Sequence, residues 1–168
     1  MSSPQKDKIN ALVTAIIIFI SVLCVGVVYA PRVLGYDAYV VETGSMAPTI
    51  SKGSMAYVKK YSTFEDYALY DIVTFTDYSG NNFTHRIIDI NEKKKTFTTK
   101  GDANESADPS PASGSSAVGK VEFAIPLLGY VAKLLKQTAV KIAVVGIYIA
   151  WIAIEIEVFL SERKRRYE

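Results

Sequence analysis

Two stretches of this sequence are almost free of charge, and between them hydrophobic and polar residues alternate in short runs. Residues 11–30 read ALVTAIIIFISVLCVGVVYA without one charged side chain. A helix needs about 20 apolar residues to cross a bilayer, and this run matches that length. A cleaved export signal has a shorter apolar core of about 7–15 residues. Here Pro31 also follows the small residue Ala30, where cleavage would need an adaptable bond. The pattern therefore predicts an uncleaved membrane helix. A second apolar region covers residues 139–154, interrupted near its start by Lys141 and followed by Glu155 and Glu157. Lys141 can snorkel to one interface while Glu155 lies near the other, so a second span is expected over residues 138–160. The competing reading is a buried or surface-lying amphipathic helix.

Between these regions the period shortens to that of strands. Short β-type runs occur at residues 38–41, 55–58, 71–76, 83–90, 96–99 and 120–123. Turn residues separate them, most clearly Asp77-Tyr78-Ser79-Gly80-Asn81-Asn82. This predicts antiparallel meanders rather than alternating strands and helices. Residues 101–119, rich in Ala, Ser, Pro and Asp, read as a long loop, a length that points to function or mobility. The expected organisation is a cytoplasmic segment 1–10, a membrane helix 11–30, a β-domain 31–137, a second span 138–160 and a basic tail 161–168. Lys6 and Lys8 at one end and Arg163, Lys164, Arg165 and Arg166 at the other place both termini in the cytoplasm, because cytoplasmic flanks collect Lys and Arg. The β-domain then lies on the outer face.

Composition adds few constraints. The chain has 168 residues, 49% of them hydrophobic and 21% charged, which fits apolar segments attached to one polar domain. A net charge of +2 argues against nucleic acid as a partner. The lone cysteine, Cys24, excludes an internal disulfide, and no His, Cys and carboxylate spacing reads as a metal site. No cofactor is expected.

Candidate chemistry centres on Glu42-Thr43-Gly44-Ser45-Met46-Ala47-Pro48-Thr49, which sets a hydroxyl just past the first membrane helix. A serine becomes nucleophilic beside a general base, and the single histidine, His85, lies in Phe83-Thr84-His85-Arg86-Ile87-Ile88. Strand alternation puts His85 on the same face as Phe83 and Ile87. A structural histidine packed on a sheet is the bland alternative, but imidazole is the natural proton acceptor for a serine near neutral pH. A carboxylate to orient that imidazole is available in residues 99–109, as Asp102, Glu105 or Asp108.

Taken together, Thr43-Gly44-Ser45-Met46-Ala47-Pro48, Thr84-His85-Arg86-Ile87-Ile88 and the loop carrying Asp102 and Asp108 resemble the type I signal peptidases. Within that family they look like the endoplasmic-reticulum type, found also in Gram-positive bacteria and archaea, with His where the common bacterial enzymes carry Lys. The resemblance runs from the first membrane helix to about Tyr130. It implies a mainly β, antiparallel catalytic domain of the signal peptidase and LexA-like kind, flanked by membrane helices. It further implies a plasma-membrane serine endopeptidase that removes signal peptides from exported precursors, working beside membrane lipid and near a translocation channel. Ser45 would be the nucleophile, His85 the base and Asp108 the orienting acid. Asp102 would support the loop or exchange roles with Asp108. Thr43, standing where the family usually has serine, would join the Ser45 N–H in an oxyanion hole. Ala47 replaces the glutamate or serine common after the methionine. Two rivals remain at this point. One is a Ser–Lys protease using Lys59, Lys60 or Lys100. The other is a non-enzymatic two-span protein with a partner-binding β-domain.

Overall fold

The computed structural model describes residues 4–61 and 63–165. The first three residues, Ser62 and the end of the basic tail from Arg166 lie outside the described residues. A 30-residue helix, α1 (Pro4–Val33), comes first. Strands β1 (Tyr36–Val40), β2 (Met55–Lys59), β3 (Ile72–Thr76), β4 (Asn82–Asn91), β5 (Thr96–Lys100), β6 (Ala112–Ser113) and β7 (Ala117–Ile125) follow. Two helices, α2 (Leu128–Lys136) and α3 (Thr138–Arg165), complete the chain.

The strands form one antiparallel sheet in the order β1-β2-β7-β3-β4-β5-β6. Here the expected meander is corrected. β2 and β3 are neighbours in sequence but not in space, because β7 returns from the far end of the domain and pairs with both. The loop reading of residues 101–119 is also revised: β6 and a short 3-10 turn at Gly114–Ser116 lie within it, and β7 begins at Ala117. Composition missed them because two-residue strands carry no period.

Two buried clusters hold the sheet, one on each side of β7. Met46, Ile50, Ala56, Val58 and Val121 form the first. Tyr67, Val73, Phe75, Ile87 and Phe97 form the second, with Phe64 stacked on Phe97 at 4.6 Å between ring centroids. In β3 the residues Val73, Thr74 and Phe75 are all buried, so this strand is covered on both faces. Among the described residues, β4 begins with pairing to β3 alone, His85 opposite Val73 and Phe83 opposite Phe75. Its pairing to β5 starts only at Arg86.

Of the described helices, α3 is the one long and apolar enough to cross a membrane, over Thr138–Val158. The described apolar run of α1 is shorter, Leu12–Leu23. α1 and α3 touch through polar side chains. Thr14 donates a hydrogen bond to Glu155 at 2.9 Å, and Ser21 bonds the Tyr148 hydroxyl. As numbering rises along α1 from 14 to 21 it falls along α3 from 155 to 148, so the two helices run antiparallel.

Candidate active site

The loop between β1 and β2 is pinned by its apolar members. Met46 and Ile50 are buried in the first cluster, and Ile50 N–H bonds the Met46 carbonyl at 2.8 Å. Burying a methionine stabilises by about 1.5–3 kcal/mol, enough to fix the turn that holds its neighbour. Ser45 is therefore held from one side by the core. Its carbonyl accepts a hydrogen bond from Ala103 N–H at 2.8 Å, which joins this loop to the one after β5. Gly101 makes that approach feasible: a Cβ there would stand 2.7 Å from the Ser45 carbonyl oxygen.

β4 carries His85 toward the same point. With Nδ1 protonated, His85 donates to Asp108 Oδ2 at 2.6 Å. Nε2 then accepts from the Ser45 hydroxyl at 3.3 Å, the looser spacing common before a substrate is bound. The side chains of His85 and Asp108 are 14% and 17% exposed, so this contact is largely shielded from water. Asp108 is itself held by β5, since Thr99 donates its hydroxyl to Oδ2 at 2.6 Å and accepts Asp108 N–H on its carbonyl at 2.8 Å. The Phe83 and His85 rings pack edge to face, with centroids 5.6 Å apart.

Asp102 has a different partner. Arg86 grips it bidentately, Nε to Oδ1 at 2.8 Å and Nη2 to Oδ2 at 2.7 Å, while Nη1 donates to the Tyr70 carbonyl at 2.8 Å. The Arg86 guanidinium and then the Thr49 hydroxyl hold the Asp102 carboxyl below its ordinary range, against the opposing effect of burial. Asp102 thus belongs to a clamp on the turn that supports the Ser45 carbonyl. Its contact is with Arg86, next to His85 in sequence. Glu105, the third acid in this loop, is exposed.

Thr43 places its hydroxyl 3.1 Å from the Ser45 hydroxyl. The lysines of the rival Ser–Lys reading are engaged elsewhere. Lys60 pairs with Asp37 at 3.1 Å, Lys100 donates to the Glu105 carbonyl at 3.1 Å, and Lys59 lies over the Tyr61 ring.

A groove of about 680 Å³ opens above these residues. Val41, Thr43, Ser45, Phe83, His85 and Asn104 are among the residues that line it. Sequence reasoning missed Thr99, Arg86 and Asn104 as members of this region. Arg86 had a usable signal, because a charged residue inside a half-buried strand requires a counter-charge and the acidic loop offered one.

The arrangement has the parts that acyl transfer needs: a hydroxyl, an imidazole within reach of it, a carboxylate on the far side of the imidazole, and an open groove. Residues 12–98 match the model of the family described as signal peptidase, peptidase S26, a stretch covering just over half of the chain. The chain is also 38% identical over 85 residues to signal peptidase I W of Bacillus subtilis strain 168. That alignment covers 49% of this chain and 45% of the relative, so this chain spans less than half the length of that protein. Ser45 and His85 fall inside the family match, whereas Asp102 and Asp108 lie beyond it. On the extent of the match, the chain belongs to the signal peptidase family, peptidase S26.

Proposed function

We propose that this chain is a membrane-bound serine endopeptidase that removes N-terminal signal peptides from exported precursors. The observation that carries the reading is the Asp108–His85–Ser45 hydrogen-bonded series, whose Ser45 and His85 line an open groove, in a chain of this family.

An extended precursor segment has two free strand edges to join. Among the described residues, β1 pairs only with β2, and residues 82–85 of β4 pair only with β3. A peptide lying between residues 39–43 and 82–85 gains main-chain hydrogen bonds on both flanks, and its side chains alternate into and out of the groove. The Phe83 ring and the buried Met46 restrict the groove beside Ser45, which favours small side chains next to the cut bond. Ser45 Oγ attacks the carbonyl carbon while His85 Nε2 takes its proton. Asp108 holds the ring and balances the imidazolium that forms. The developing oxyanion is met by Ser45 N–H and the Thr43 hydroxyl. His85 then passes its proton to the leaving amine, and water attacks the acyl-enzyme by the same route. Asp102 acts at one remove, by holding the turn beneath Ser45.

In this reading α1 and α3 both span the plasma membrane, with the β-domain on the extracytoplasmic face. Their antiparallel contact brings the N-terminal part of α1 beside the C-terminal part of α3. The Lys6 and Lys8 end and the Arg163 end then share the cytoplasmic side, as the distribution of basic residues requires. Anchoring enzyme and precursor in one bilayer raises their effective concentration.

The test is mass spectrometry of a signal-bearing precursor after incubation with the purified protein in lipid. A single cut after a small residue is expected, absent with Ser45→Ala. An intact precursor with the folded wild-type protein would refute the reading.

A further inference from the structure

Between the catalytic sheet and α3 lies a helix that the mechanism does not use. α2 runs Leu-Gly-Tyr-Val-Ala-Lys-Leu-Leu-Lys and exposes a large apolar surface: Leu127, immediately before it, is 67% exposed and Leu134 52%. Tyr130 and Val131 are about as exposed, and Val33, the last residue of α1, and Leu34 after it are bare as well. In water such a surface is a liability for a small domain. The position of α2 says what covers it. Only Gln137 separates α2 from α3, the helix long and apolar enough to span the membrane. One residue cannot carry the chain away from the surface that α3 enters, so the end of α2 lies at that surface. Basic residues stand at the same level: Lys133 and Lys136 in the last turn of α2, and Arg32 in the last turn of α1. All three border an apolar groove of about 560 Å³ between β1 and α2.

We infer that α2 lies in the membrane–water interface and seats the catalytic sheet on acidic phospholipids of the bilayer. Apolar side chains enter the acyl boundary, and Arg32 and Lys136 meet the headgroup phosphates. The inference rests on the reading of α3 as a span.

The seat is mechanically joined to the nucleophile. Gly129 packs so tightly on the turn before β2 that a Cβ there would stand 2.6 Å from the Ser54 carbonyl oxygen. Ser54 in turn accepts Val41 N–H at 2.9 Å. Lys133 donates to Glu42 at 2.7 Å and holds that carboxyl below its ordinary range. Val41 and Glu42 lead directly to Thr43 and Ser45. The height of α2 on the bilayer therefore sets the height of the groove in which a membrane-held precursor must be cut.

The test uses the full chain in a Cys24→Ala background, with an environment-sensitive fluorophore on Leu134→Cys, Ile147→Cys or Lys93→Cys, the last in the polar β4–β5 turn. The labelled proteins are reconstituted in phosphatidylcholine vesicles with or without phosphatidylglycerol, and quenched by bromine on the acyl chains. Quenching by half or more is expected at Ile147 and Leu134 and none at Lys93. Phosphatidylglycerol should increase it at Leu134, and Arg32→Glu with Lys136→Glu should remove that increase. Quenching at Ile147 but not Leu134 would overturn the interfacial seat while leaving the span intact. No quenching at Ile147 would overturn the span and the seat with it. Leu134 quenching indifferent to phosphatidylglycerol would overturn the acidic headgroup. A Leu134 signal that follows protein-to-lipid ratio without bromine quenching would assign the face to a second copy and overturn the proposal.

Discussion

Asp102 and Asp108 stand six positions apart in one loop, and their surroundings differ in kind. Asp108 faces a group that changes charge during the proposed reaction, through a single oxygen shared by His85 Nδ1 and the Thr99 hydroxyl. Asp102 faces a group that never changes charge, through both oxygens, in a fork that fits the planar guanidinium. Permanent, bidentate pairing suits a structural clamp. A single contact to an imidazole suits an orienting acid, whose value rises when the imidazole becomes charged. Carboxylates of the same type in one loop thus divide into one that contacts His85 and one that, through Arg86, holds the turn whose Ala103 N–H bonds the Ser45 carbonyl.

Substitutions break this comparison in order of expected effect. Ser45→Ala sets the floor, a loss of roughly a millionfold in single-turnover cleavage, with the fold retained by circular dichroism. Asp108→Asn should cost about 10⁴-fold in kcat, since an amide holds the ring but neither fixes its tautomer nor balances its charge. A variant cleaving within tenfold of wild type would remove Asp108 from the site. Thr43→Val keeps the shape and deletes the hydroxyl, and should cost about 10²–10³-fold in kcat with KM little changed. Asp102→Asn should show itself first in stability, lowering it by about 1–3 kcal/mol in denaturant unfolding because Arg86 keeps a desolvated charge without its partner.

The same pair sharpens the comparison through pH. The folded Asp102 carboxyl titrates below its ordinary value of 3.8, so its contribution is fully present above that value and is lost as pH falls through the depressed folded value. The gap in melting temperature between wild type and Asp102→Asn should therefore hold steady from neutral pH down to the ordinary carboxylate range, then close under stronger acid. A gap that instead widened on acidification would contradict the clamp.

Much of this was legible in the sequence because it rests on local signals. The strands around Thr76 and Asn82 announce themselves through the turn between them, and Ser45 and His85 stand out because one follows the membrane helix and the other is unique. What the sequence left open rests on long-range placement. Nothing in residues 101–119 tells which acid turns toward β4, because that depends on Gly101 admitting the Ser45 carbonyl and on Thr99 capturing Asp108. The position of β7 was invisible for the same reason: alternation marks a strand without naming its neighbours.

That strand order has a consequence for timing. Among the described residues, the half of the sheet carrying Ser45 (β1 and β2, with Met46 in their core) and the half carrying His85 (β3 to β6) are joined by strand ladders only through β7. A chain emerging during its own synthesis can pair each half locally, but the ladder between them awaits residue 125. In the proposed protease, Ser45 and His85 thus stay on half-sheets that no strand ladder joins until the sequence just ahead of α3 has been made.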